Sequence, residues 1–133
     1  MTICICVDDN MGILFNRRRV SRDGELISRL TKKFENRKIF IKEYSLPLFT
    51  DHKDRVCIFE DITTLCEDAV CFLEEGIERI PDNTDRIITY HWNRKYPSDT
   101  YFYIDEEKFG CVCESEFKGS SHDKISERTW IRK

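Results

Sequence analysis

The chain has 133 residues, of which 40% are hydrophobic and 35% charged, and its formal net charge is -3. This length predicts one domain with a single core over residues 1–133 and excludes two full domains. Because Lys and Arg nearly balance Asp and Glu, we expect no general attraction to nucleic acid or to a membrane, so nucleic acid is not the favoured partner and any anion site must be local.

The seven cysteines match no common metal or redox motif. They include two C-x-C pairs, Cys4 with Cys6 and Cys111 with Cys113, but no C-x-x-C spacing. We interpret each pair as small apolar side chains of a strand, and we predict no metal and no cofactor. The first apolar run ends at Asp8, and no apolar segment reaches the roughly 20 residues of a membrane span. The expectation is a cytoplasmic protein without membrane contact.

The first two thirds of the chain alternate predicted strands and helices. Residues 2–7 form an apolar run typical of a central strand buried on both faces. Residues 8–20 predict a loop, and Ser21 is the predicted N-cap of a helix that ends near residue 35. Further strands are predicted at 38–42, 55–60 and 69–73, separated by short helical or turn segments at 44–49 and 61–68. This order is typical of a mainly parallel sheet.

The last third predicts antiparallel structure. Strands are expected at 85–92, 109–117 and 124–132. The last two flank the small polar loop 119–121, which is typical of a β-hairpin. The predicted fold is a single α/β domain with a mainly parallel sheet and a C-terminal antiparallel hairpin.

Three blocks, in the right order and spread over nearly the whole chain, resemble dihydrofolate reductases. The first is Val7-Asp8-Asp9-Asn10-Met11-Gly12-Ile13, followed by Asp23 near a helix start. The second is Ala69–Gly76, and the third runs from Asp85 to Tyr90 and on through Asp99-Thr100-Tyr101-Phe102. The resemblance implies a truncated dihydrofolate reductase-like fold, in which Asp23 is the carboxylate that holds a pterin ring and NADPH lies across the strand ends.

Two departures from the family pattern argue against that chemistry. Glu74 and Glu75 stand where the reductases have a glycine pair, and their carboxylates are expected to repel a dinucleotide phosphate. The arginines at 17–19 and 22 are expected to surround Asp23 with guanidinium groups, whereas a flat apolar ring requires hydrophobic walls. We therefore predict that the nicotinamide site is lost.

Segments 14–19, 92–97 and 117–125 also resemble short bacterial proteins labelled ribonuclease Z. That label implies a metal-dependent nuclease with an H-x-H-x-D-H motif. The three histidines do not have this spacing, so the sequence offers no ligands for a two-metal site.

The segment between the first strand and the first helix carries the clearest binding signal. Its candidate ligand-binding residues are Asn16, Arg17, Arg18, Arg19, Arg22 and Asp23. Loops at strand ends form the ligand crevice of α/β sheets, and guanidinium groups there suit phosphate or carboxylate. The alternative is a solvated loop in which the arginines pair with Asp8, Asp9 and Glu25.

Segment 92–97 mixes aromatic, cationic and amide side chains. Asn93 and Arg94 are further candidates for ligand binding, and Trp92 and Tyr96 are candidates for a protein interface. The alternative is a strand end at which the aromatic side chains pack on the core.

The loop that precedes the last strand contains His122, which together with Asp23 is a candidate acid or base for catalysis. Sequence spacing assigns no partner acid to His122. The alternative is an exposed histidine in a hairpin turn.

These patterns favour a non-catalytic binding protein with a degenerate reductase-like fold. Its ligand is an anionic, nucleotide-like small molecule or a protein partner, and a role as inhibitor or sponge in conflicts with phage or mobile elements fits such a protein. One alternative is a hydrolase or transferase acting on a phosphorylated or nucleotide substrate, with Asp23 or His122 as base. A second alternative is an NADPH-dependent reductase.

Overall fold

The computed structural model describes residues 1–133 and contains ten β-strands, the helix α1 (Gly24–Lys33) and two 3₁₀ segments, Glu43–Arg55 and Ile62–Thr64. The strands are β1 (Thr2–Val7), β2 (Gly12–Phe15), β3 (Arg18–Arg19), β4 (Ile39–Ile41), β5 (Val56–Ile58), β6 (Val70–Leu73), β7 (Arg86–His91), β8 (Thr100–Tyr101), β9 (Phe109–Phe117) and β10 (Ile125–Arg132). Neither α1 nor the 3₁₀ segments have the length and apolar character that a membrane-spanning helix needs.

Seven strands form one mixed sheet in the order β5-β4-β6-β1-β7-β10-β9, and a small second sheet has the order β3-β2-β8. In the large sheet β1 pairs in parallel with β6 and β7, and β4 pairs in parallel with β5 and β6. β10 runs antiparallel to both β7 and β9. The predicted α/β class, with a mainly parallel sheet and a C-terminal antiparallel hairpin, is confirmed.

β1 lies at the centre of the large sheet, and both of its faces are covered by other parts of the chain. Ile3 and Val7 belong to the core cluster on one face, and Cys4 belongs to the cluster on the other. Successive side chains of a strand point to opposite faces, so an uninterrupted apolar strand needs two covering layers. On the Cys4 face that layer is α1, whose Leu26 and Leu30 are buried in the same cluster.

The basic face of α1 is fixed to the C-terminal hairpin by Glu127 on β10. The Glu127 side chain is 5% exposed and lies 3.2 Å from Arg29 Nε and 3.3 Å from Lys33 Nζ. A carboxylate removed from water requires cationic or hydrogen-bonded partners, so these two contacts fix where the helix packs on the sheet.

The start of α1 differs from the prediction. Asp23, rather than Ser21, is the N-cap, because its carboxylate accepts hydrogen bonds from the N–H groups of Glu25 and Leu26 at 2.9 and 3.3 Å. A carboxylate also interacts favourably with the positive end of the helix dipole. The helix ends at Lys33, two residues before the predicted end.

The predicted loop 8–20 contains the hairpin formed by β2 and β3. Its two-residue turn has positive φ at both central positions, 50° at Asn16 and 64° at Arg17. Such a turn matches the twist of antiparallel strands, so the arginine cluster is held on a hairpin. The predicted helical segment 61–68 contains only a single 3₁₀ turn.

All seven cysteines are free thiols. The interpretation of the C-x-C pairs fits β1, where Cys4 is buried and Cys6 is half-buried. Cys111 and Cys113 also lie in a strand, β9, but they are exposed because this strand forms the edge of the sheet.

His91, at the end of β7, is a buried titratable residue. Its Nε2 lies 2.8 Å from Thr89 Oγ1, which also accepts a hydrogen bond from Trp130 Nε1 at 3.0 Å. The proton of the Thr89 hydroxyl is therefore available to Nε2 of the neutral imidazole. Burial, with a smaller effect of the Arg128 charge, lowers the pKa of His91 from 6.5 to about 4.

We expect His91 to reduce folding stability as the pH falls from 6.5 to about 4. In this interval the unfolded chain binds a proton at His91 and the folded protein does not, so acid favours unfolding, at a cost of roughly 3 kcal/mol. Urea unfolding of the wild type and His91→Gln across this interval measures the effect. The wild type should lose more stability than the variant toward the acid end, whereas parallel profiles would contradict the prediction.

Candidate functional site

The carboxyl ends of the parallel strands β4 and β6 lie at one edge of the large sheet, beside the β2–β3 hairpin. Between them is a cleft of about 140 Å³ lined by Leu14, Arg17, Lys42, Tyr44, Ser45, Glu74 and Glu75. This edge is where α/β sheets place their ligands, so we take the cleft and the hairpin as the candidate site.

Arg19 forms an ion pair with Glu74 inside this site. Its Nε and one terminal nitrogen lie 2.8 and 2.9 Å from the two carboxylate oxygens of Glu74, and Ser45 Oγ donates to the same carboxylate at 2.8 Å. The guanidinium also lies over the ring of Tyr44 at 4.4 Å. The hydrogen bond to Glu74 raises the pKa of Arg19. The expectation that the arginines pair with Asp8, Asp9 or Glu25 is therefore wrong for Arg19.

The second acidic residue, Glu75, is also paired. Lys42 Nζ lies 3.5 Å from its carboxylate, so each of the two glutamates has a cationic partner from its own chain. The repulsion expected from unpaired carboxylates at this position is reduced accordingly. The side chains of Glu74 and Glu75 still separate the cleft from the backbone, which a glycine pair would leave open to a diphosphate.

Three arginines of the cluster remain available. Arg17, Arg18 and Arg22 are exposed, and no carboxylate lies within 4.0 Å of their side-chain nitrogens. A second, more open cleft of about 300 Å³ is lined by Phe15, Asn16, Arg18, Arg19, Val20, Tyr96 and Pro97. Of the three available arginines, Arg18 lines this cleft and Arg17 lines the first one. The hairpin thus presents unpaired cations next to an aromatic-walled cleft. We call this the hairpin cleft.

The other predicted ligand-binding pair lies apart from these cations. The Asn93 side-chain amide donates to the backbone oxygen of Lys124 and to Ser126 Oγ, both at 3.1 Å, so it ties β7 to β10. Arg94 is exposed and forms no salt bridge, and neither side chain has a hydrogen bond or ion pair with the arginine hairpin.

The predicted interface role is wrong for Trp92. This residue is 3% exposed, and its ring stacks on the imidazole of His122 with 4.5 Å between centroids and 26° between planes. Tyr96 is half-buried, and its backbone N–H donates to Asp8 Oδ2 at 2.9 Å. The alternative, aromatic side chains packed at a strand end, describes this segment.

Both carboxylate oxygens of Asp23 accept hydrogen bonds from other residues of the chain. In addition to the helix N–H groups, it accepts hydrogen bonds from the N–H groups of Ser120 and Ser121, each at 2.9 Å, and lies 3.0 Å from His122 Nδ1. Burial opposes its ionisation, but the hydrogen bonds from Ser121, His122 and Ser120 hold its pKa well below the usual range. The expectation that guanidinium groups surround Asp23 is wrong, because loop 119–122 lies against its carboxylate.

His122 is buried rather than exposed, with 4% of its surface accessible. Its Nε2 lies 2.9 Å from Ser21 Oγ and 3.1 Å from the Tyr96 hydroxyl, which in turn donates to Ser21 Oγ at 3.3 Å. The predicted pair of candidate acids and bases, Asp23 and His122, is thus brought into contact by the fold. Ser21, which is half-buried, completes a chain of three polar groups.

Sequence reasoning missed Ser21, Ser45 and Tyr44 as site residues. Ser21 drew attention only as a helix cap, and its partner His122 is 101 residues away. The available signal was the combination of a histidine with small hydrogen-bonding residues in loop 119–122, beside an acidic residue at a helix start. No cluster of three or more His, Cys, Asp and Glu side chains is arranged to hold a metal ion.

Comparison with known proteins identifies the fold. A dihydrofolate reductase from Enterococcus faecalis, solved in complex with NADP(H) and RAB-propyl, superposes with a TM-score of 0.66 over 99% of this chain and 96% of that chain, at 12% sequence identity. No protein-family model and no curated sequence matches the chain. The protein therefore has a dihydrofolate reductase-like fold, as the three sequence blocks predicted.

We expect Asp23→Asn to destabilise the protein by roughly 3 kcal/mol, because an amide cannot accept from every donor around this buried position. The matched control is Asp61→Asn, which changes an exposed N-cap whose carboxylate accepts from Thr63 at 2.9 Å. Asn caps helices about as well as Asp, so the control should change stability by less than about 1 kcal/mol. Equal losses in urea unfolding would contradict the special role of Asp23.

Gly119 tests how closely loop 119–122 approaches Asp23. A Cβ at Gly119 would lie 2.3 Å from Asp23 Oδ2, whereas a Cβ at Gly24 would meet nothing closer than 3.7 Å. Gly119→Ala should therefore cost about 1–3 kcal/mol, and Gly24→Ala should be close to neutral. Thermal unfolding of both variants measures the difference, and a Gly119→Ala protein as stable as the wild type would show that the loop can move away freely.

Proposed function

We propose that this protein binds an anionic, nucleotide-like small molecule in the hairpin cleft. The two arginines that line this cleft differ in their pairing: Arg19 is neutralised by Glu74, whereas Arg18 is exposed without a carboxylate partner. Arg17, next to Arg18 in the turn of the hairpin, is likewise exposed and unpaired. Guanidinium groups bind phosphate and carboxylate through two parallel hydrogen bonds, which suits a ligand with such a group.

Two further features support a nucleotide-like ligand. The hairpin cleft is bordered by the aromatic rings of Phe15 and Tyr96, and aromatic faces stack on bases. The solved neighbour with this fold was obtained in complex with NADP(H), which is itself a nucleotide.

The reductase alternative is less well supported by the contacts. The cleft at the strand ends is lined by the carboxylates of Glu74 and Glu75, and Asp23 has no free acceptor capacity for a pterin ring. A reductase predicts saturable NADPH binding and oxidation of NADPH in the presence of dihydrofolate. We expect neither, and NADPH oxidation above background would overturn this part of the proposal.

The binding site is tested with inorganic pyrophosphate and ATP as probes. We expect Arg17→Ala combined with Arg18→Ala, the two unpaired arginines of the hairpin, to weaken binding by at least about tenfold, because a charge-assisted hydrogen bond contributes roughly 1.5–3 kcal/mol. The charge-matched control combines Lys32→Ala and Arg37→Ala, which removes two exposed cations at the other end of α1. Isothermal titration calorimetry measures the affinities. Equal weakening in both double variants would indicate a general charge effect, and no binding by the wild type would refute the site.

A protein partner is the second candidate, because aromatic side chains are exposed on the small sheet and its flank. Phe15 is 50% exposed, Tyr101 38% and Tyr103 74%, and the last two rings stack with centroids 6.3 Å apart. Aromatic residues with adjacent arginines are typical of interface hot spots. Proteins retained after gentle affinity purification, compared between the wild type and Tyr103→Ser, test this candidate. A partner lost only in the variant would support it.

A further inference from the structure

The buried network around Asp23 has the geometry of a nucleophile, a base and an orienting acid. Ser21 Oγ lies 2.9 Å from His122 Nε2, and His122 Nδ1 lies 3.0 Å from Asp23 Oδ2. Both distances are within hydrogen-bond reach, and the two contacts use opposite nitrogens of one imidazole. We propose that this network is a hydrolytic site, with Ser21 as nucleophile and His122 as general base, acting on a small ester.

The proton positions follow from the partners. Asp23 is an ionised carboxylate that can only accept, so His122 Nδ1 must carry a proton and donate it to Oδ2. In the neutral imidazole Nε2 is then an acceptor, and the hydroxyl of Ser21 donates to it. This is the tautomer that a base needs to remove the proton of Ser21. Asp23 is a positioning residue, since it acts through the imidazole.

The packing holds the imidazole in this orientation. The His122 and Asp23 side chains are 3% and 0% exposed, and Trp92 stacks on the imidazole face. Ser21 and Tyr96 are half-buried, so these two residues form the solvent side of the network. Ser21 itself does not line the hairpin cleft, but Val20, its neighbour in sequence, and Tyr96, its hydrogen-bond partner, do. The proposed reaction therefore places the ester carbonyl between Val20 and Tyr96, on the side of the network that faces this cleft.

The reaction balances with water as the only co-substrate. Ser21 Oγ attacks the ester carbonyl carbon, and its proton passes to His122 Nε2. The C–O bond to the alcohol then breaks, the alcohol leaves with the proton from His122, and the acyl group remains on Ser21. Water attacks this acyl group, gives its proton to His122, and releases the carboxylic acid while Ser21 regains its proton.

The substrate class rests on the proposed function. If the hairpin arginines bind an anionic group, the preferred substrate is an ester that carries a phosphate or carboxylate elsewhere in the molecule, with the carbonyl at Ser21. The nucleophile itself does not depend on this preference. A neutral reagent can therefore test Ser21 independently of the arginines.

The test uses a neutral fluorophosphonate, which forms an O–P bond to a reactive serine and releases fluoride. We expect one adduct on the intact wild-type protein, mapped to Ser21 by peptide mass spectrometry and absent from Ser21→Ala. The control Ser28→Ala, which removes an exposed hydroxyl on α1, should be labelled like the wild type. His122→Gln should slow labelling by at least about 100-fold. Circular dichroism verifies that each variant is folded.

A further readout separates positioning from structural support. We expect Asp23→Asn to lower the maximal labelling rate while the probe concentration at half-maximal rate stays unchanged, because the imidazole loses its orientation, whereas no residue that lines the hairpin cleft is hydrogen-bonded to Asp23. The same variant should hydrolyse p-nitrophenyl acetate more slowly than the wild type. A change confined to the half-maximal concentration would overturn the positioning role of Asp23.

Several results would overturn the proposal. They are the absence of any adduct, an adduct on Tyr96 or Ser121 instead of Ser21, and labelling of Ser21 at the same rate in folded His122→Gln. The outcomes for the two proposals differ, because the probe carries no anionic group. Labelling at Ser21 without pyrophosphate binding would refute only the anion site, and pyrophosphate binding without labelling would refute only the hydrolytic site.

Discussion

The buried carboxylate of Asp23 determines how the candidate site is built. A carboxylate without solvent exposure is tolerated only when its oxygens are fully hydrogen-bonded, and here the donors come from two distant parts of the chain. Satisfying Asp23 fixes the first turn of α1, draws loop 119–122 against the helix start, and orients His122. The close approach of Gly119 shows how little space the arrangement leaves. Ser21 and Tyr96 are then positioned by the imidazole on its other side.

The second ion pair, between Arg19 and Glu74, divides the arginines into two groups. Arg19 is used to neutralise a carboxylate at the strand ends, and this joins β3 to the end of β6. Arg17 and Arg18 face solvent on a hairpin with a defined turn, and Arg22 is exposed just before α1. The fold is that of dihydrofolate reductase, but both positions at which the resemblance implied ligand contacts are occupied by internal contacts. The features that remain for function are the hairpin cleft and the network of Ser21, His122 and Asp23.

The sequence predicted the fold better than the site, for a physical reason. Strands such as β1 and β9 are predicted from local patterns of apolar and turn residues. Such patterns can be recognised without knowing which elements the strand contacts in the fold. The site depends on contacts between residues far apart in the chain: 55 residues separate Arg19 from Glu74, and 99 separate Asp23 from His122. Local rules also misplaced the helix cap, because Ser21 and Asp23 are both good N-caps and only the packing of loop 119–122 decides between them.

The central claim is that Asp23 holds His122 with its proton on Nδ1 and its Nε2 turned toward Ser21. Two-dimensional ¹H–¹⁵N NMR of the imidazole side chains measures this directly in the folded protein near neutral pH. In the neutral imidazole of His122 we expect the proton on Nδ1, with a downfield shift typical of a hydrogen bond to carboxylate, and none on Nε2. A protonated Nε2 with an unprotonated Nδ1 would contradict it, because Asp23 would then have no donor on the imidazole and Ser21 would have no base.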